Sequence, residues 1–334
     1  MKRLIECVPN FSEGRDVSII DALVDSMSHT PGAAVLDRHS DRDHNRSVIT
    51  IAGEPEPVAE AALSGIATAV AHIDLNRHHG VHPRIGAADV LPFVPVEGVT
   101  VEECVDLARR TGRKIWERYG IPVYFYEAAA TRPERVRLEN VRRGQFEGLR
   151  DKAPLSGERL PDIGGPSLHP TAGAIAVGAR KFLIAYNINL TAGADAAGVS
   201  IAVKIARAIR SSNGGLACVK AIGIPLKERG LAQVSINLTD FETTPLDRVF
   251  ETVRLEARSY GCEIASTEIV GLVPAKAIEM IGDFNLRLEH FPATQILETR
   301  LASALTGEAL DGIYIRDTAG SGNIEARRTR SATE

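Results

Sequence analysis

The chain has 334 residues, of which 44% are apolar and 25% charged, the make-up of a globular protein long enough for about two domains with cores of their own. Lys and Arg number 39 against 43 Asp and Glu, a net charge of -4. That balance argues against a chain built mainly to grip nucleic acid, while leaving room for a local basic pocket that takes a small anion.

Leu4 to Pro9 reads as a short extended run. Ser12 to Gly14 opens a segment with Val17, Ile20, Leu23, Val24 and Met27 at helical spacing, stopped by Pro31-Gly32. Ala33 to Asp37 and Ser47 to Ala52 read as neighbouring strands. Pro55 and Pro57 sit near the start of an alanine-rich helix running to about Asp74, where a missing N–H is harmless in the first turn. Asp89 to Pro95 reads as another strand, and Thr100 with Glu103 forms a capping box for a helix carrying Val101, Cys104, Val105, Ala108, Ile115 and Tyr119 on one face. Pro122 to Tyr126 is a buried-looking strand.

Residues 127–173 break the pattern with Arg132, Arg135, Arg137, Arg142 and Arg143, then Gly164-Gly165-Pro166 and the turn from Pro170 to Gly173. This is a linker or an ordered functional loop, and most of its arginines read as solvated surface. From Ala174 the pattern restarts with a strand at Lys181 to Asn189, a helix from about Ala194 to Arg210 and a strand at Ala217 to Ile224. Asn187 and Asn189 are polar within that first apolar strand, which a half-buried strand explains as well as a functional role does. Val234, Ile236 and Leu238 alternate with Ser235, Asn237 and Thr239, a period of two. Thr244 reads as a helix N-cap with Pro245 at the first helical position, and Leu246, Val249, Phe250, Val253, Ala257 and Tyr260 as the helix's buried stripe. Glu263 to Val270 is a last strand, and Ala275 to Gly282 and Thr294 to Leu305 are helical patches.

The fold class is therefore α/β, with two subdomains of roughly β-α-β-β-α-β order whose sheets are covered by helices. We place the subdomains at 1–175 and 176–310, and expect 317–334, small and charged, to be a disordered tail.

The four cysteines, Cys7, Cys104, Cys218 and Cys262, form no C-x-x-C pair, which argues against a zinc ribbon, a redox motif or a disulfide framework and fits free thiols in a reducing cytosol. The opening Met1-Lys2-Arg3-Leu4-Ile5-Glu6 has no signal-peptide core, and no apolar run approaches the ~20 residues that span a bilayer. The expectation is a cytoplasmic protein without nucleic-acid or membrane partners.

Chemistry concentrates where His72, His78, His79 and His82 fall within eleven positions. His78 and His82 are four apart, but Gly80 and Pro83 disfavour the helix on which that spacing would hold a metal, and no Glu follows the first histidine. No metal site is expected. His72 and His78 read as helix-end histidines favoured by the C-terminal dipole. His82, ahead of Pro83 and so on a bent loop, reads as a proton-transfer residue, because an imidazole with an ordinary value near ~6.5 suits general acid–base work at neutral pH. Arg46 and Arg84 lie beside apolar strands, where a bidentate grip on a carboxylate fits. There is no Gly-x-Ser-x-Gly elbow, and Ala179-Arg180 stands where a phosphate-binding loop needs Lys-Ser/Thr.

Several ordered strings resemble the glutamate formimidoyltransferase (formiminotransferase) family, in its bacterial single-function form. They are Glu6 to Gly14, Asn45-Arg46, His82 to Ala87 with Asp89-Val90 and Pro92 to Pro95, Gly178 to Lys181, Tyr186 to Leu190, Ala232 to Ser235 and Gly271 to Lys276, collinear over about residues 3–280. The resemblance implies transfer of the formimidoyl group from N-formimidoyl-L-glutamate to N5 of tetrahydrofolate in histidine breakdown, two α/β subdomains with a folate cleft or tunnel between them, and a homodimer. It makes His82 the catalytic histidine and the stretch Gly164, Gly165, Pro166, Ser167, Leu168, His169, Pro170, Thr171, Ala172, Gly173 the folate-contacting loop. Both substrates are anionic, which makes Arg46 and Arg84 the candidate grips, with Asn10 and Asn45 as hydrogen-bonding partners. Val81 and Ile85 stand where the family usually has Glu and Met, and the cyclodeaminase domain of animal members is not expected here. Alternative readings are formyl transfer between 5-formyltetrahydrofolate and glutamate, and a catalytically silent folate-binding protein.

Overall fold

The computed structural model describes residues 3–42, 44–80, 82–306 and 316–317. Val81 and nearly all of the segment expected to be a disordered tail lie outside the described residues. The chain forms two compact units, one running to Arg180 and including the segment from Leu301, the other Lys181–Arg300.

The first unit is built on β1 (Leu4–Cys7), β2 (Asn10–Phe11), β3 (Ala33–Asp41), β4 (Arg46–Gly53), β5 (Ala88–Glu97), β6 (Val123–Glu127) and β7 (Ile175–Ala179). Together with a short strand at Arg316–Asp317 they form one sheet, in the order Arg316–Asp317, β3, β4, β1, β5, β7, β6, and β2 pairs with both β4 and β5. β3, β4, β1 and β5 pair antiparallel in succession, whereas Arg316–Asp317 runs parallel to β3, and β5, β7 and β6 are mutually parallel. Three helices cover one face: α1 (Val17–Ser28), capped by the Asp16 carboxylate; α2 (Pro55–His72), with proline in its first turn; and α3 (Val101–Tyr119), whose Thr100–Glu103 capping box is complete. Their apolar stripes meet Ile5, Phe11, Ile49, Ile51, Leu91 and Phe93 in the main core, each large buried side chain adding roughly 1.5–3 kcal/mol.

The other face explains residues 127–173. Val141, from α4 (Leu138–Val141), Leu149, from α5 (Gln145–Arg150), and Leu155 pack on Val90, Tyr124, Tyr126 and Ala176. The segment is thus a second covering layer rather than a linker. Of the arginines read as surface residues, Arg135 is buried by it, against Asp162 at 2.5 Å, and Arg142 is mostly covered, against Asp89. The first subdomain also extends past the expected 175, because β7 completes the parallel ladder between β5 and β6.

The second unit places β8 (Ile184–Gly193), β9 (Val219–Leu226), β10 (Leu231–Leu238) and β11 (Ile264–Val270) in an antiparallel sheet of order β11-β8-β10-β9. Helix α6 (Ala196–Ile209) packs on it, and α7 (Leu246–Ser259) packs against α6. The β-α-β-β-α-β order holds, and Val234, Ile236 and Leu238 are buried as their alternation requires. Two local expectations fail. Pro245 itself is the N-cap of α7, while the Thr244 hydroxyl donates to the Ala217 carbonyl at 2.7 Å. Tyr260 lies past the helix end and is exposed. Asn189 belongs to a buried polar network, accepting from the Gln233 amide at 2.8 Å and donating to Ser266 at 3.0 Å.

Candidate active site

Three loops of the first unit converge beside the open end of β4 and β5. Asn45 joins them. Its positive φ of 49° is a conformation that asparagine tolerates better than most side chains. From there its Oδ1 accepts the Gly14 N–H at 2.9 Å, its amide donates to the His79 carbonyl at 3.1 Å, and its own carbonyl accepts from His78 Nε2 at 2.8 Å. Gly80 lies so close that a Cβ there would stand 2.2 Å from the His44 carbonyl oxygen, so no larger residue fits without moving the loop.

His78 is buried and lies six residues beyond the end of α2 at His72, so it is not a helix-end histidine. Its Nε2–H donates to Asn45, which leaves Nδ1 to accept from Arg84 Nε at 3.0 Å. Burial, seconded by the nearby Arg84 charge, holds its pKa down. Arg84 in turn makes two bonds to Glu147, at 2.7 and 2.9 Å, and donates to the His78 carbonyl at 3.2 Å and to Gln145 at 3.4 Å. Every N–H of its guanidinium is therefore engaged. Its task here is to tie the histidine loop to α5, and this geometry leaves it no donor for a substrate carboxylate.

His82 stands half-buried in a narrow, tightly packed concavity that it shares with Phe11, His44, Arg46, Arg84 and Asp89. The His44 ring packs edge-on against it, centroids 6.0 Å apart, and is itself oriented by an Nδ1 bond to Asp41 at 2.8 Å. The expectation of an ordinary imidazole is overturned. Burial and then the positive charges of Arg46 and Arg142 push its pKa down to about 4, against the opposing pull of Asp89. The ring is neutral at physiological pH, with its basicity held down as long as those charges act on it.

Two guanidinium groups flank one buried carboxylate at this point. Arg142 forms an ion pair with Asp89, whose other oxygen accepts the Ile85 N–H at 2.7 Å. The Arg46 side chain makes no hydrogen bond or ion pair with another described residue, and its Nε is buried without a partner. Burial first, then repulsion from Arg142, brings its pKa down to about 10, so it remains a cation at neutral pH. Sequence reasoning singled out His82 and Arg46 but missed Arg142 and gave Asp89 and His44 no role. The amphipathic pattern of Leu138, Val141, Phe146 and Leu149 was the available sign that this segment packs inward.

Of the remaining expected residues, Asn10 is buried on β2, its amide donating to the Val8 carbonyl at 2.7 Å. In the expected folate loop, His169 and Gly173 close a turn through bonds of 2.9 and 3.1 Å, and Ala172 and Ala174 bond the backbone at Ala87 and Ile85. That end of the loop is thereby fixed to the strand leading away from His82. At the other end Gly164, Pro166 and Ser167 are exposed, and Leu168 leans on the second core. Among the described residues no group of three or more His, Cys, Asp and Glu is placed to hold a metal ion.

Known proteins share this arrangement of sequence. The family model described as the formiminotransferase domain, N-terminal subdomain, matches residues 4–180, and the one described as the formiminotransferase domain matches 185–303. The chain is 46% identical to a glutamate formimidoyltransferase from Streptococcus pyogenes serotype M1, over 90% of its own length and 99% of the relative's. It is 43% identical to one from Thermoplasma acidophilum, over 91% and 99%. A formimidoyltransferase-cyclodeaminase from Rattus norvegicus is 45% identical over 83% of this chain and 51% of its own length. The two subdomain matches meet where the structure divides, follow each other in order and leave few residues uncovered, and on that ground the chain belongs to the formiminotransferase family.

Proposed function

We propose that the protein transfers the formimidoyl group from N-formimidoyl-L-glutamate to N5 of tetrahydrofolate, giving 5-formimidoyltetrahydrofolate and L-glutamate. The observation that carries this reading is a neutral, half-buried imidazole beside an unpaired, mostly buried arginine, in a chain 46% identical to a glutamate formimidoyltransferase. Addition of a folate amine to the amidine carbon leaves an extra proton on the attacking nitrogen. His82, neutral at rest, takes it up and returns it to the glutamate nitrogen, which leaves as an amine. Such a shuttle contributes typically ~100- to 10,000-fold, and alignment of the two substrates supplies much of the rest. No covalent enzyme intermediate is needed.

The charge pattern supports anionic substrates. Arg46 is the carboxylate grip in this reading, while Asn10, Asn45 and Arg84 hold the loops that present it. We assign Gly164 to Gly173 to folate contact. Its exposed end offers backbone groups with little side-chain obstruction, and its buried end is hydrogen-bonded to the His82 segment. The four free cysteines fit a cytoplasmic setting, and we infer a homodimer, to be tested by sedimentation.

The test is release of glutamate from N-formimidoyl-L-glutamate, dependent on tetrahydrofolate, with 5-formyltetrahydrofolate and glutamate assayed in parallel. The expected result is turnover with the formimidoyl donor and a loss of about 100-fold or more in His82→Ala, with folate affinity retained. Formyl transfer alone, folate binding without turnover, or an unchanged rate in the variant would refute the proposal.

A further inference from the structure

We propose that Arg142 is a positioning residue that holds Asp89 and thereby leaves Arg46 unpaired to bind a carboxylate of the amino-acid substrate beside His82. This rests on the transfer reading above. The two arginines share one buried carboxylate, and the structure divides them unequally: Arg142 takes Asp89 as its ion-pair partner, while Arg46 pairs with no described residue although it lines the same concavity as Asp89 and His82. A largely buried cation on which Asp89 and Asp41 act only without ion-pair contact is poorly compensated in the free protein, so an anion entering the concavity supplies the missing contact. Asp89 is pinned from its other side by the Ile85 N–H at 2.7 Å, which keeps it directed at Arg142.

Without Arg142, Asp89 is freed to pair with Arg46, on which it already acts electrostatically, and an internal pair replaces the subsite. The remaining arginine of the concavity, Arg84, is saturated by Glu147, Gln145 and His78 and offers no alternative. The ligand group is best matched by the α-carboxylate of the donor. It sits two bonds from the nitrogen that receives the proton of His82, whereas the side-chain carboxylate and the glutamyl tail of folate are separated from the reacting atoms by longer chains.

The experiment measures affinity for N-formyl-L-glutamate, an unreactive donor analogue, and for 4-(formylamino)butyrate, which lacks the α-carboxylate. Wild type should prefer the first by about 10- to 100-fold, the range of a charge-assisted pair. Arg142→Gln should lose that preference, and the double variant Arg142→Gln with Asp89→Asn should regain it, because a neutral amide still accepts from Ile85 but no longer attracts Arg46. A merely structural role for Arg142 predicts no rescue, and absence of rescue overturns the proposal. Should Arg142→Gln not fold, Arg46→Gln carries the test, since it must lose the preference too; equal affinities in wild type for the two analogues overturn the idea outright. If the variants instead change affinity for tetrahydrofolate but not for its analogue lacking the glutamyl tail, the carboxylate belongs to folate and the assignment to the donor is wrong. Turnover in wild type alongside any of these failures leaves the transferase reading standing.

Discussion

Replacing Arg46 with glutamine removes the second largest influence that keeps His82 neutral, after burial itself. The imidazole is pushed down to about 4 from an ordinary value of 6.5. At pH 5.5 such a ring is about 3% protonated, where an unshifted one would be about 90% protonated. In Arg46→Gln the midpoint should rise by about half a pH unit or more but remain below 6.5, because burial persists. Histidine labelled at Cε1 and followed by NMR, with His82 assigned from a His82→Gln spectrum, reads the midpoint directly. The same shift bears on stability. Between pH 6.5 and 4 the unfolded chain binds more protons at this position than the folded one. The contribution is therefore complete above 6.5 and lost as pH falls through the folded value. For a ring only half-buried it is on the order of 1–2 kcal/mol, visible as a smaller drop between urea midpoints at pH 7 and pH 4.5 in His82→Gln. A wild-type midpoint near 6.5, or a fall in Arg46→Gln, would refute the electrostatic account.

Arg84→Met should cost about 2–4 kcal/mol in urea unfolding, since it strips Glu147 and the buried His78 of their partner; it should lower kcat as well, through the loosened loop, and a stability change under about 0.5 kcal/mol would count against the tie. Asn45→Ala should cost about 3 kcal/mol, two lost hydrogen bonds plus the strain of a positive φ, and Asn45→Gly about 1 kcal/mol less, because glycine takes that conformation freely. Equal losses in the two variants, read from thermal melts, would remove the backbone part of the argument.

Much of the framework was legible because its signals are local. The capping box at Thr100, the period of two along β10 and the stripe on α7 are each complete within a dozen residues. The bent loop at His82 was legible for the same reason, since Gly80 and Pro83 act on their immediate neighbours. What escaped was non-local. β7 is five small or β-branched residues containing Gly178, too short to announce itself, and it is a strand because parallel partners lie on both sides. Arg142 sits among surface-like arginines and is turned inward onto Asp89, 53 residues earlier. The depressed pKa of His82 follows from those same pairings, so an ordinary imidazole was the natural expectation.

Pairing also explains how a chain of net charge -4 holds a cationic pocket. Arg46, Arg84 and Arg142 approach His82 or the loop that carries it; two carboxylates pair with them in contact, and Asp41 acts on Arg46 from beyond ion-pair distance. Glu147 comes from α5 and satisfies Arg84; Asp89 comes from β5 and satisfies Arg142. The guanidinium left without an ion-pair contact is that of Arg46, which lines the concavity with the imidazole. Sequence alone offered Arg46 and Arg84 on equal terms as carboxylate grips. The fold separates them by supplying a partner to one and withholding it from the other, so the net charge of the whole chain has little bearing on the potential His82 experiences. An anion that neutralises Arg46 also weakens the repulsion that keeps His82 from accepting a proton. Substrate binding and base strength are then linked through a single guanidinium, and saturating N-formyl-L-glutamate should raise the His82 midpoint in wild type and leave it unmoved in Arg46→Gln.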